Sequence, residues 1–125
     1  MFHRNYNPST MTETKRNHYR VRNTPEWKTL RTRLIDCQKG LCPISGRALG
    51  RQAAVHHLDL DDAHYGDLED ISKFICVTST IHDALHTLYK CPVGWKRALD
   101  NLEIVMQHMD EINGLEDGKK PPKSK

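Results

Sequence analysis

The apolar positions of this chain fall into short runs with two different periods. Trp27, Leu30, Leu34 and Ile35 recur at helical spacing. They follow Thr24-Pro25-Glu26, a hydroxyl cap, a proline at the first helical position and an acid in the first turn. Lys28, Arg31 and Arg33 lie largely off that stripe, and Gly40 after Gln38-Lys39 ends the helix. Leu41 to Gly46 reads as a tight turn. Ala53 to Leu58 and Lys73 to Thr78 have the content of two short strands. Between them the acidic stretch Asp59 to Asp70, with Gly66 inside it, reads as a loop. Thr78, Ser79 and Thr80 offer caps for a helix running to about Lys90. Pro92 and Gly94 then interrupt the chain. Trp95, Ala98, Leu99, Leu102, Val105, Met106, Met109 and Ile112 fit a last amphipathic helix, and this stripe reads as core packing.

The two ends lack such patterning. Residues 1–23 are polar and basic without a period, and read as a flexible arm. Residues 113–125 form a Lys/Pro-rich tail expected to be disordered. A length of 125 residues leaves room for one compact domain, taken as 24–112. Hydrophobic residues make up 37% and the mean hydropathy is −0.72, which suits a small domain with mobile ends. No apolar run approaches a membrane span, so no membrane partner is expected. The N-terminus has no apolar core of a secretory signal. The expected location is the cytoplasm, that of the host cell if the gene is phage-borne. Cys37, Cys42, Cys76 and Cys91 contain no C-x-x-C pair and read as reduced thiols.

Charge is unevenly spread. Residues 1–51 carry eleven Lys/Arg against Glu13, Glu26 and Asp36, a local balance of +8; with +3 for the whole chain, the remainder sums to −5. A basic front half is what a phosphate-binding surface requires, because each neutralised phosphate releases condensed counterions.

The chemistry is concentrated in four histidines. His56 and His57 are adjacent at the end of a strand, so their side chains point to opposite faces. One can ligate a metal while the other faces a substrate. His82 and His86 stand at i and i+4 of a helix, which stacks both imidazoles on one face. Three imidazoles with open water positions make a catalytic rather than a closed coordination set. His-His followed about 25 residues later by H-x-x-x-H is a much sharper signal than either pair alone.

Val55-His56-His57-Leu58, Ser72 to Val77 and His82-Asp83-Ala84-Leu85-His86-Thr87 together resemble the HNH endonucleases, whose strand–strand–helix motif holds a metal. Trp27-x-x-Leu30 and Gly40 to Gly46 echo the segment that often precedes it, so the likeness covers roughly residues 27–88. The resemblance implies an α+β fold: a small ββα-metal core at about 52–90, flanked by an N-terminal and a C-terminal helix, the latter at about 94–112. It implies His57 as general base and His56, His82 and His86 as ligands of one divalent ion (Mg, Mn, Ni or Zn). It implies hydrolysis of DNA phosphodiester bonds to 5′-phosphate and 3′-hydroxyl ends, as in homing, restriction or phage DNA processing. Arg51 or Arg47 is the expected scissile-phosphate contact, with Arg31 and Arg33 as further DNA contacts.

Three departures from the family pattern matter. Many relatives carry two C-x-x-C pairs around a structural zinc; here Cys42 is followed by Ser45, and Thr78 and Ile81 occupy the second pair, so that zinc is expected to be absent. The family asparagine that braces the base-orienting loop falls at Lys73, which cannot accept a hydrogen bond, leaving Asp70 or Ser72 for the task. The acidic loop Asp59–Asp70 is an unusual neighbour for DNA, although Asp59 or Asp62 would suit a metal shell. Two other readings stand beside the nuclease: a degenerate DNA-binding module that has lost cleavage, and a structural zinc protein.

Overall fold

The computed structural model describes residues 12–115. Most of the tail expected to be disordered, and the first half of the expected arm, lie outside them. The fold is α+β: four helices and one two-stranded antiparallel sheet. The helices are α1 (Glu13–Arg22), α2 (Pro25–Cys37), α3 (Ser79–Tyr89) and α4 (Trp95–Asn113), and the strands are β1 (Ala54–His57) and β2 (Phe74–Val77). The chain falls into two compact units, 1–82 and 83–125, and the division lies inside α3.

Within the expected arm, Glu13–Arg22 is helical, and residues 1–11 lie outside the described residues. Thr12 caps α1 by accepting from the Lys15 N–H at 3.2 Å, Glu13 sits in the first turn, and Arg20 and Arg22 sit in the last. Those charges complement the helix dipole. None of its residues is buried, so no apolar stripe advertised it. His18 docks it instead, stacking on Tyr65 at 3.6 Å and meeting the Asp62 carboxylate at 3.0 Å.

Thr24 joins α1 to α2. Its hydroxyl accepts from the Trp27 N–H at 3.2 Å and donates to the Val21 carbonyl at 2.7 Å. The α2 stripe Trp27, Leu30 and Leu34 is buried, and with Phe74 and Cys76 of β2 it forms the core. Val55, Leu49, Leu68 and Ile71 pack around that centre. Arg31, on the same helix, reaches the loop before β1 and donates to the carbonyls of Gly50, Arg51 and Ala53 at 3.1–3.4 Å.

In the sheet, Ala54 faces Val77, Val55 faces Cys76, His56 faces Ile75 and His57 faces Phe74. The ladder continues through a 2.8 Å bond from the Leu58 N–H to the Lys73 carbonyl. Alternation along the strands sorts the side chains. Val55, His57, Phe74 and Cys76 share the α2 face, and Ala54, His56, Ile75 and Val77 share the other. The connecting loop is ordered by two short 3₁₀ turns, Asp62–His64 and Ile71–Lys73, capped by Asp61 and Asp70.

The second unit contains the rest of α3 and α4. α4 ends where expected, with Gly114 in the left-handed conformation (φ 65°) closing the helix through bonds to Asp110 and Glu111. The reading of its apolar stripe as core is not met. No residue of α4 is buried, and Trp95 (51%), Leu102 (51%), Val105 (55%) and Ile112 (70%) are exposed. Periodicity states which face of a helix is apolar, not whether an element of the same chain covers it. Among the described residues no helix is long and apolar enough to cross a membrane.

Candidate metal centre

Sheet register and helix phase bring three of the four histidines together. His56 lies on the sheet face away from α2, and its ring sits edge-on to that of His82 with centroids 5.2 Å apart. His86 follows one turn along α3. One ligand atom from each of His56, His82 and His86 can be chosen so that all three lie within 4.8 Å of one another. Around a tetrahedral cation with bonds of about 2.0–2.1 Å, such nitrogens would sit about 3.3 Å apart. His56 and His82 are half-buried and His86 is exposed, which leaves one side open to solvent. An all-imidazole donor set suits Zn, Ni, Cu or Fe better than Mg, which prefers oxygen ligands.

His57 stands apart from this trio on the α2 face. Its ring stacks on Tyr65 at 4.1 Å and on Trp27 at 5.6 Å, and meets the edge of Phe74 at 4.9 Å. Nε2 lies 3.2 Å from the Tyr65 carbonyl. A carbonyl only accepts, so Nε2 carries the proton and Nδ1 of the neutral ring holds the lone pair. Burial pushes the His57 pKa below its ordinary 6.5, against the opposing pull of the Tyr65 carbonyl. The result is a neutral imidazole in a fixed tautomer, a form able to take up a proton.

The group hydrogen-bonded to the His57 ring is the Tyr65 carbonyl. Asp70 is engaged locally, accepting from the Ser72 N–H at 3.1 Å and the Ser72 hydroxyl at 2.6 Å. Lys73 contributes its backbone to the ladder, and lines a depression of about 500 Å³ with His57, Asp59, His64, Asp67 and Asp70. Asp59 pairs with His64 at 2.8 Å and Asp62 with His18, so neither belongs to the trio. Nothing in the sequence marked Tyr65, because its role exists only once the loop closes over β1.

The arginines separate by role. Arg31 ties down the 50–53 loop through the carbonyls of Gly50, Arg51 and Ala53. Arg51 lines a depression of about 350 Å³ with Thr78 and Ser79, at the N-terminus of α3. Arg33 lines another, beside Glu26 and Glu69. Arg47 is exposed, and its backbone carbonyl receives the Cys42 N–H.

Cys42 occupies what resembles half of a zinc knuckle. Burial raises its pKa, but hydrogen bonds from the side chain and backbone of Ser45, and from the backbones of Thr78 and Ile44, bring it down to about 6. The turn at 42–46 and the segment at Thr78 are thus neighbours, as the register required. With Ser45, Thr78 and Ile81 at the other positions, the donor set does not fit a four-thiolate zinc. No family model, curated protein or solved structure matches the chain.

Proposed function

We propose that this protein is a metal-dependent endonuclease of the ββα-metal type, hydrolysing DNA phosphodiester bonds. The observation that carries the reading is the convergence of His56, His82 and His86 on one small volume, with a tautomer-fixed His57 next to His56 in β1 and on the other face of the sheet. His56, His82 and His86 would hold a divalent cation, which would supply Lewis acidity at the scissile phosphate. His57 is the general base: Nδ1 accepts a proton from water as the water oxygen bonds to phosphorus. The P–O3′ bond breaks, and the departing O3′ takes a proton from solvent water, leaving a 5′-phosphate and a 3′-hydroxyl. Tyr65 is the positioning residue, holding Nε2–H through its backbone carbonyl. Arg51, beside the amino end of α3, holds the scissile phosphate.

The acids that line the depression beside His57 favour a second reading, a metal-holding DNA-binding module without cleavage. One experiment separates the two. Supercoiled plasmid is incubated with the full chain and Zn²⁺, Ni²⁺, Mn²⁺ or Mg²⁺, beside His57→Gln and His86→Ala. The nuclease reading expects nicked or linear product from the wild type, loss of cutting in both variants, and retained DNA binding in His57→Gln. Retarded but intact plasmid with every metal would establish the second reading.

A further inference from the structure

We propose that α1 sets the proton of His57 from outside: His18, with Val21 and Arg22, holds the 62–66 turn so that the Tyr65 carbonyl stays on Nε2. His18 is then a positioning residue, and the proposal rests on the nuclease reading only for its effect on cutting.

The turn is built to be gripped from one side. Asp62 and Tyr65 stand three residues apart across the 3₁₀ turn Asp62–His64, in which side chains at that spacing eclipse. His18 takes both. Its Nε2 lies 3.0 Å from the Asp62 carboxylate and donates to it, and its ring lies on that of Tyr65 with centroids 3.6 Å and planes 12° apart. Val21 and Arg22 follow at i+3 and i+4, on the same face of α1. Val21 packs over Gly66, where a Cβ would lie 3.6 Å from its Cγ2. The Arg22 guanidinium donates to the Tyr65 hydroxyl.

The other side of the Tyr65 ring belongs to His57, whose centroid is 4.1 Å away with planes 16° apart. Two parallel rings that close to one centroid cannot share a face without overlapping. The Tyr65 ring is therefore held between His18 and His57. Its own backbone carbonyl reaches the His57 Nε2 at 3.2 Å, so one residue both covers the base and selects its tautomer. A neutral imidazole carries its proton on either nitrogen unless a hydrogen bond chooses. Only the Nε2–H form leaves Nδ1 free to accept a proton from water. Removing His18 opens the outer face of Tyr65 to solvent and unties the turn at Asp62, so the carbonyl no longer holds its place.

Nitrogen NMR of the isotope-labelled full chain tests the proposal, with His18→Ala, His18→Phe and Tyr65→Leu. The wild-type His57 ring is expected as a single tautomer, with a protected proton on Nε2. In His18→Ala the ring should average over both tautomers and exchange its proton about tenfold faster, the loss of one ring stack and one hydrogen bond. Tyr65→Leu, which keeps the carbonyl and removes the ring, should behave alike. His18→Phe, which keeps the stack, should recover most of the protection. Plasmid cutting should follow the same order, with kcat down about 10–100-fold in His18→Ala and KM within a few-fold. The NMR signature needs no cleavage, so intact plasmid with the wild type counts against the nuclease reading alone. A His57 ring in His18→Ala that keeps one tautomer and the wild-type exchange rate would overturn the proposal, whether or not circular dichroism shows α1 retained.

Discussion

The side chain of Gln38 grips the backbone of Cys76 from both sides. Its Oε1 accepts from the Cys76 N–H at 2.8 Å, and its Nε2 donates to the Cys76 carbonyl at 2.7 Å and to the Leu41 carbonyl at 3.2 Å. Gln38 is the residue after α2, so its amide acts as a one-residue strand along the edge of β2 that β1 leaves open. That edge is where α2, the 41–48 turn and the sheet meet. The same residue 76 is fully buried, and its thiol pKa is raised by burial.

Gln38→Ala strands both backbone groups in a largely dry place. The expected cost is about 1–3 kcal/mol, because a buried donor or acceptor without a partner forfeits its solvation. Urea denaturation followed by circular dichroism measures it. A midpoint equal to that of the wild type would mean that solvent replaces the amide and that the clamp contributes nothing.

The three converging imidazoles make a direct claim about metal affinity. By isothermal titration, Zn²⁺ and Ni²⁺ are expected to bind one per chain, and Mg²⁺ far more weakly. His56→Ala, His82→Ala and His86→Ala should each lower zinc affinity by roughly 100-fold or more, since losing a ligand should cost at least as much as losing a group that orients one. His57→Gln should leave it within a few-fold. Equal loss in all four variants would place His57 in the coordination set and remove it from the base role.

Loop stability should depend on pH through His64 and Asp59. The hydrogen bond from Asp59, with its charge and that of Asp61, raises the His64 pKa above 6.5. The Asp61 N–H and the His64 contact lower the Asp59 pKa below 3.8. The raised histidine contributes fully below 6.5 and loses its contribution as pH rises through its higher folded value. The lowered carboxylate contributes above 3.8 and loses its contribution as pH falls through its lower folded value. The pair is thus strongest between about pH 3.8 and 6.5. Proton NMR titration of His64 should give a pKa above 6.5 that returns towards it in Asp59→Asn. An unchanged titration would show that the contact does not persist in solution.

Two arginines at the loop before β1, Arg31 bonded to it and Arg51 within it, should fail differently. Arg31→Met removes the bonds to the 50–53 loop and is expected to cost about 1–3 kcal/mol of stability. Arg51→Ala should leave stability within about 0.5 kcal/mol, as surface changes do. It should reduce DNA affinity and flatten its salt dependence by about one phosphate contact. Thermal melts and fluorescence anisotropy at several salt concentrations separate the two. Interchanged behaviour would reverse the roles assigned here.

Local sequence determined most of the elements. Thr24-Pro25 started α2, alternation and β-branched content marked both strands, and Gly114 stopped α4, because caps, turns and periodicity act within a few residues. The i, i+4 spacing of His82 and His86 likewise fixed their shared face. What lay beyond such reach was decided only by the tertiary structure. A polar helix, α1, was invisible as a pattern and exists by docking His18 on Tyr65. Arg31 had the charge of a DNA contact, but the fold placed three carbonyls in front of it. The apolar face of α4 was legible in the spacing of its residues. His57 could be named as a candidate from its neighbour. The fold alone supplied the Tyr65 carbonyl that fixes its proton, since that contact depends on how the loop between β1 and β2 closes.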